Sequence, residues 1–163
     1  MTNNSAKKER AIIVDIDGTI ADHEGLRGHY EYQKVYLDRP KFEIMDLIDL
    51  VRLSPGGFKQ TLFCSGREES CRETTKQWLI DKWFYRYGRE ILWSPSFINE
   101  LDNYLFMRKT GDRRPDDIIK AEIYETHIKP KYDVLYVFDD RNRVVDMWRK
   151  KGLTCLQVAD GNF

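Results

Sequence analysis

Ala11-Ile-Ile-Val-Asp15-Ile-Asp17-Gly18-Thr19 is the stretch on which the reading of this 163-residue chain turns. Its first four residues form a short continuous apolar run, three of them β-branched, as in a strand buried on both faces. The run stops at an acid, and a second acid follows two positions later. Residues two apart in an extended chain point the same way, which places Asp15 and Asp17 on one side of the strand's exit. Gly18 then permits a tight turn or a close backbone approach to a ligand. Neighbouring carboxylates repel unless a cation lies between them, and hard oxygen ligands suit Mg²⁺. A single D-x-D alone is most simply an acidic turn. Three further sites along the chain decide against that reading.

Composition bounds the function classes. Length and an apolar fraction of 41% suit a single domain over residues 11–163 with a real core, behind a flexible polar tail at 1–10. Basic and acidic residues balance at 27 each, so overall charge argues for neither nucleic acid nor membrane, and any polyanion affinity must come from local clustering. No apolar run is long enough to span a bilayer, and residues 1–10 lack the apolar segment of a leader. Cys64, Cys71 and Cys155 are odd in number and scattered, which suggests a reducing, cytoplasmic setting and no disulfide framework.

Outward from the first strand, residues 21–40 are irregular and rich in Gly, Tyr and charge, a long connection of the kind that is functional or mobile. Ile44, Leu47, Ile48 and Val51 then recur at helical spacing, and Ser54-Pro-Gly-Gly57 ends the helix. Strands are expected at Thr61–Cys64, Ile91–Trp93, Leu105–Met107, Val134–Phe138 and Cys155–Val158. Helices are expected over 69–83, from Pro115 to about Ile128, and around Val144–Lys151. Residues 94–103 read as a small insertion or cap element. This alternation predicts an α/β fold, a doubly wound parallel sheet with helices on both faces. In such a sheet ligands bind beyond the carboxyl ends of the strands.

Three more groups sit where that rule wants them. Ser65-Gly66-Arg67 follows the second strand, offering a hydroxyl, main-chain N–H groups at a helix start and a planar guanidinium fork to a phosphate. Asp116 and Lys120 are one helical turn apart. Asp139-Asp140 ends the most strand-like run in the chain, where paired acids have few structural reasons to exist. His23, His29 and His127 show no metal-ligand spacing and read as incidental.

Taken together, these groups resemble the four motifs of the haloacid dehalogenase (HAD) superfamily, and Asp at position 17 resembles its phosphatases rather than its dehalogenases or ion pumps. The resemblance implies a small or minimal cap, Mg²⁺ as cofactor, and a role for each group. Asp15 would form an aspartyl phosphate. Asp17 would act as acid and then base, lending its main-chain carbonyl to the metal. Lys120 would neutralise the nucleophile and phosphate, with Asp116 orienting Lys120. Ser65, Gly66 and Arg67 would bind phosphate. Asp15, Asp17, Asp139 and Asp140 would form the metal site, which of the last two binds directly being left open.

The match narrows toward the C-terminus. Gly111-Asp-Arg-Arg114, Asp116–Ile123, His127-Ile-Lys-Pro130, Phe138-Asp-Asp-Arg141, Val144–Arg149 and Gln157–Phe163 resemble the phosphatase domain of the T-even phage polynucleotide kinase–phosphatase family. That resemblance adds Arg27 as a substrate-phosphate ligand. It implies 3′-phosphate ends of DNA or RNA as substrate, in end repair beside a separate kinase and ligase, since the chain holds no G-x-x-x-x-G-K-[ST]. A phosphatase for free nucleotides or another small ester is the nearest alternative, and a non-catalytic end-binding module a more distant one. The basic stretch 108–114 either tracks a nucleic-acid backbone or is a solvated loop. Tyr30, Tyr32, Tyr36 and Phe97 either stack on bases or fill core and surface.

Overall fold

The computed structural model describes residues 7–28, 30–56, 59–86 and 92–162. In chain order its strands are β1 (Glu9–Val14), β2 (Ala21–Asp22), β3 (Arg39–Pro40), β4 (Gln60–Glu68), β5 (Leu105–Arg108), β6 (Tyr132–Arg141) and β7 (Cys155–Gly161). Its α-helices are α1 (Phe42–Leu53), α2 (Arg72–Leu79), α3 (Pro95–Asn99), α4 (Asp116–Ile123) and α5 (Asn142–Lys150).

Five strands form one parallel sheet in the order β5-β4-β1-β6-β7. The chain leaves β1 for β4 and β5 on one side, then returns to β6 and β7 on the other. The order therefore reverses between β1 and β6, and the crevice at their carboxyl ends is where this topology binds ligands. Alternation along β1 builds both halves of the core. Ile12 and Val14 join Met45 and Ile48 of α1 and Trp78 and Leu79 of α2 on one face. Ala11 and Ile13 join Ile119 and Ile123 of α4 and Val144, Val145 and Trp148 of α5 on the other. No helix among the described residues is long and apolar enough to cross a membrane.

Several expectations need correcting. β1 begins at Glu9, within the stretch read as tail, because Glu9 and Arg10 pair with Tyr132 and Asp133 of the neighbouring strand. Leu92 and Trp93 lie in a turn and a bend rather than a strand, and Ile91 falls outside the described residues. Residues 94–103 form α3 and a 3₁₀ turn whose Phe97 and Leu101 are buried in the core, so they are part of the main domain and not a cap. Phe97 stacks on Tyr104, 4.9 Å between centroids, which removes it from the base-stacking candidates. On α1 the buried stripe is Met45, Ile48, Asp49 and Arg52, while Leu47 is exposed. The stripe is turned because Asp49 and Arg52 form a buried ion pair (3.0 Å) that caps an aromatic cluster: Trp83 donates to Asp49, and Arg52 lies 3.9 Å over Trp93.

The connection at 21–40 is the minimal cap. Antiparallel pairing of Ala21 and Asp22 with Pro40 and Arg39 closes its base, and a 3₁₀ turn at Tyr32–Leu37 fills it. Fully buried Val35 and a 2.8 Å bond from Trp78 Nε1 to the Asp38 carbonyl fasten it to the body.

Candidate active site

Asp15 stands one residue past the end of β1, its main-chain N–H donating to Phe138 O of β6 (2.9 Å). The adjacent strand delivers Asp139 and Asp140, so the reversal of strand order brings the first and fourth motifs together. Carboxylate oxygens of Asp15, Asp139 and Asp140 lie within 4.8 Å of one another, all three residues buried. Gly18 has φ +82°, and a Cβ there would run into the Asp140 carboxylate. The glycine is required because the turn carries the backbone directly across the acid.

Lys120, on α4, reaches into this cluster, with Nζ 2.7 Å from Asp15 Oδ1 and 2.8 Å from Asp139 Oδ2. Thr19 Oγ1 donates to Asp15 Oδ2 (3.1 Å). Asp139 is saturated: Oδ2 also accepts from Trp148 Nε1 (3.1 Å), and Oδ1 accepts from the main-chain N–H groups of Asp140 (3.0 Å) and Arg141 (3.4 Å). Burial lifts the pKa of Asp15 well above the carboxylate range; Lys120 pulls against the rise, and the charges of Asp139 and Asp140 add to it. Asp140 is raised by burial and by Asp139. Burial opposes charge on Lys120, but Asp139 and Asp15 reverse the effect and hold it protonated well above the usual range. Three carboxylates and one ammonium leave two uncompensated negative charges in a buried site whose free donors are oxygens, which fits one divalent hard cation.

Asp17 faces away from this cluster. Its carboxylate takes Arg67 Nη2 (2.8 Å) and Nε (3.0 Å) together with Arg27 Nη2 (2.7 Å). Both guanidiniums continue to Asp38, Arg27 through Nε (2.7 Å) and Arg67 through Nη2 (2.5 Å). Burial would raise the pKa of Asp17, yet Arg67 and then Arg27 bring it down to about 2. Asp38 escaped the sequence reading because it belongs to no motif; its only signal was an acid closing the irregular connection. Asp38→Ala would leave two buried guanidiniums sharing one carboxylate, that of Asp17, and the fold should lose about 3–5 kcal/mol, read as a lower urea midpoint. An unchanged midpoint would mean the network carries no stability.

Two expected roles meet a different geometry. Asp116 does not contact Lys120: its carboxylate pairs with Arg108 and Arg141, and two guanidiniums outcompete an ammonium already held by Asp15 and Asp139. At the second motif β4 continues through Gly66 to Glu68, so no helix starts beside Ser65. Ser65 Oγ is buried and accepts from Arg67 N–H (3.2 Å). Gly66 does line the site, and a Cβ there would come 2.9 Å from Asp116. The basic stretch is largely self-anchored, since Arg108 donates to the carbonyls of Gly66, Asp112 and Arg114.

A cavity of about 290 Å³ lies over these groups, floored by Asp15, Lys120 and Asp140 and walled by Asp17, Gly66 and Arg141. His23, Tyr30 and Tyr32 of the cap complete the wall. His23, read as incidental, is thus a wall of the cavity, while His127 stacks on Phe106 away from it and His29 lies outside the described residues. An oxyanion entering here would meet the buried Asp15 carboxylate beside the Lys120 ammonium, with two guanidiniums behind Asp17.

Residues 9–163 match the family of the polynucleotide kinase PNKP phosphatase domain. Over 145 residues the chain is 30% identical to a putative bifunctional polynucleotide kinase/RNA ligase of Autographa californica nuclear polyhedrosis virus, covering 88% of this chain and 18% of that protein. Among solved structures it superposes on a chain of the Pnkp1/Rnl/Hen1 RNA repair complex with a TM-score of 0.77 and 31% identity, covering 96% of this chain and 44% of that one. A second structure of the Pnkp1/Rnl/Hen1 complex gives 0.76 and 32%, over 97% and 48%. The chain therefore spans less than half of each of these relatives.

Proposed function

Because the chain belongs to the PNKP phosphatase-domain family of HAD phosphatases, we propose that it is a polynucleotide 3′-phosphatase working through an aspartyl phosphate on Asp15. The observation that carries this reading is Asp15 itself, a buried carboxylate at the floor of an open cavity, paired with Lys120 and flanked by Asp139 and Asp140. A carboxylate attacks phosphorus and the ribose 3′-oxygen leaves; water then cleaves the acyl phosphate, so one hard displacement becomes two easier ones. Lys120 holds Asp15 in position and balances charge on the transferring phosphoryl group, where most of the catalysis resides.

Asp17 supplies and removes the proton. In the arginine fork it is an anion, the form a general base needs in the second step. As general acid it must first leave the fork, and the substrate phosphate provides the means, because Arg27 and Arg67 exchange one oxyanion for another. Freed from both guanidiniums, the carboxyl returns toward its ordinary pKa and protonates the departing 3′-oxygen.

Mg²⁺ is the cofactor this donor set fits. Asp15 and Asp140 would hold it by carboxylate and Asp17 by main-chain carbonyl, with Asp139, its lone pairs spent on the protein, acting from behind. When bound, Mg²⁺ would neutralise the acids and polarise the phosphoryl oxygens. Asp15 and Asp140 have raised pKa values in the folded chain, so without metal their stability contribution is fullest below about pH 4 and is lost as pH rises. Saturating Mg²⁺ should restore it: at 100-fold over Kd, about 2.7 kcal/mol, or roughly 5–10 °C in Tm at this size. The rise should shrink at about pH 5, where protons compete for the ligands. No metal-dependent rise at neutral pH would remove the site from the account.

One relative is named a polynucleotide kinase/RNA ligase and the solved structure belongs to an RNA repair complex, and we place this chain in an end-healing sequence of that kind, supplying free 3′-hydroxyl ends. Phosphate release from a short 3′-phosphorylated oligonucleotide, its 5′-phosphorylated twin and a 3′-mononucleotide, each with Mg²⁺ and with EDTA, tests the reading. Metal-dependent release from the 3′-oligonucleotide alone is expected. Release from the mononucleotide alone would keep the chemistry and overturn the polymer substrate.

A further inference from the structure

A second cavity, about 660 Å³, opens beside the first and shares with it Tyr30, Tyr32, Arg108, Asp116 and Arg141. It is more than twice as large as the catalytic cavity, so the space available to a substrate extends well beyond one phosphoryl group. Its walls differ in chemistry. On the cap side stand Tyr30 and Tyr32, and on the body side Arg113, Arg114 and Arg143.

Each wall has a feature that stability does not explain. Tyr30 is 83% exposed, and its ring meets Tyr32 at a near-perpendicular angle (6.3 Å, 81°), which leaves at least one face of Tyr30 free of that contact. An aromatic ring left in water at the lip of a reaction cavity offers a stacking platform to a nucleobase. Opposite it, Arg114 is committed to Asp112 (2.7 Å) and Glu122 (2.9 Å). Arg113 has no ion pair among the described residues, and Arg143 reaches only Asp117 (3.0 Å) with its side chain half exposed. A cavity with an aromatic face on one wall and exchangeable guanidiniums on the other suits a base and the phosphodiester beside it.

Resting on the phosphatase reading above, we propose that this second cavity is the subsite for the last base and the phosphodiester preceding it, with Tyr30 stacking and Arg113 and Arg143 taking the phosphate. A 3′-phosphorylated dinucleotide fills both cavities, whereas a 3′-mononucleotide lacks the second phosphate and a small aryl phosphate reaches only the first. The subsite therefore sets the minimal substrate at one phosphodiester.

The test compares kcat/KM for p-nitrophenyl phosphate, a 3′-mononucleotide and a 3′-phosphorylated dinucleotide. The dinucleotide should exceed the mononucleotide by about 10–100-fold, and the advantage should fall as salt is raised. Arg113→Ala/Arg143→Ala should bring the dinucleotide down to the mononucleotide's level while hydrolysis of p-nitrophenyl phosphate stays unchanged. Tyr30→Ala should raise KM for the dinucleotide about 10-fold, and Tyr30→Phe should restore it. Equal rates for the two nucleotides, or a double variant that keeps the dinucleotide preference, would overturn the subsite even with full phosphatase activity. Calorimetric binding of the dinucleotide and of inorganic phosphate to both proteins reads the subsite separately from turnover. A dinucleotide that binds no tighter than phosphate would refute it whatever the activity.

Discussion

Asp15→Asn abolishes phosphate release, lowering kcat by about 10⁴-fold or more, and does so without lowering the melting temperature of the metal-free protein. The kinetic half follows from losing the nucleophile, an effect that other groups in a site acting as a unit do not make good. The stability half follows from the electrostatics. Asp15 is buried with Asp139 and Asp140, and burial together with those two charges already pushes its pKa up. An amide of the same shape removes one of three crowded negative charges and leaves Lys120 its 2.8 Å bond to Asp139. Function and stability thus pull in opposite directions at this residue. Activity assays and thermal melts on the same preparation read both. A variant that retains turnover would end the aspartyl-phosphate account, and an inactive variant that melts much lower would point to misfolding rather than chemistry.

Lys120→Met behaves in the opposite way, losing both activity and fold. Lys120 is the one cation among the described residues that contacts Asp15 and Asp139 together. Without it three buried carboxylates face each other uncompensated, and the metal-free protein should lose about 3–5 kcal/mol at neutral pH. The kcat should fall about 10³-fold as charge on the transferring group goes unbalanced. The pH dependence carries the signature. Removing the ammonium drives the carboxyl pKa values higher still, and groups with raised folded pKa values contribute stability that is lost as pH rises. The deficit against the parent protein should therefore be small at about pH 5 and large at about pH 7.5. Urea midpoints at the two values measure it, and an equal deficit at both would mean that lost packing, not charge, explains the variant.

What the sequence revealed tracks how local each feature is. Asp15, Asp139 and Asp140 were legible because a buried strand ending in acids breaks the pattern a core imposes, and two such endings on neighbouring strands reinforce one another. Lys120 was legible only through its spacing from Asp116, and that spacing misassigned the partner: the helix turn that places them together matters less than Arg108 and Arg141 reaching in from β5 and the end of β6. Asp38 was invisible, because pairing it with Arg27 and Arg67 depends on how a 20-residue connection folds back over the sheet, which no local rule encodes. The same limit hid His23 and the indole N–H of Trp148, whose helical spacing shows a core face but not a hydrogen bond to Asp139. On α1, apolar spacing pointed to Leu47, yet the Asp49–Arg52 pair among Trp83 and Trp93 set the buried face.

The most direct test is to catch the phosphoryl group on the chain. The protein is mixed with Mg²⁺ and an oligonucleotide carrying a radiolabelled 3′-phosphate and is quenched in acid within the first turnover. Label held by the quenched protein counts the acyl phosphate, and borohydride, which reduces the phosphorylated aspartate to homoserine and releases the phosphate, marks the residue for peptide mass spectrometry. Label on the protein and homoserine at position 15 are expected from the 3′-phosphorylated strand and not from its 5′-phosphorylated twin. Homoserine at another position, or equal labelling by both strands, would contradict the aspartyl-phosphate reading.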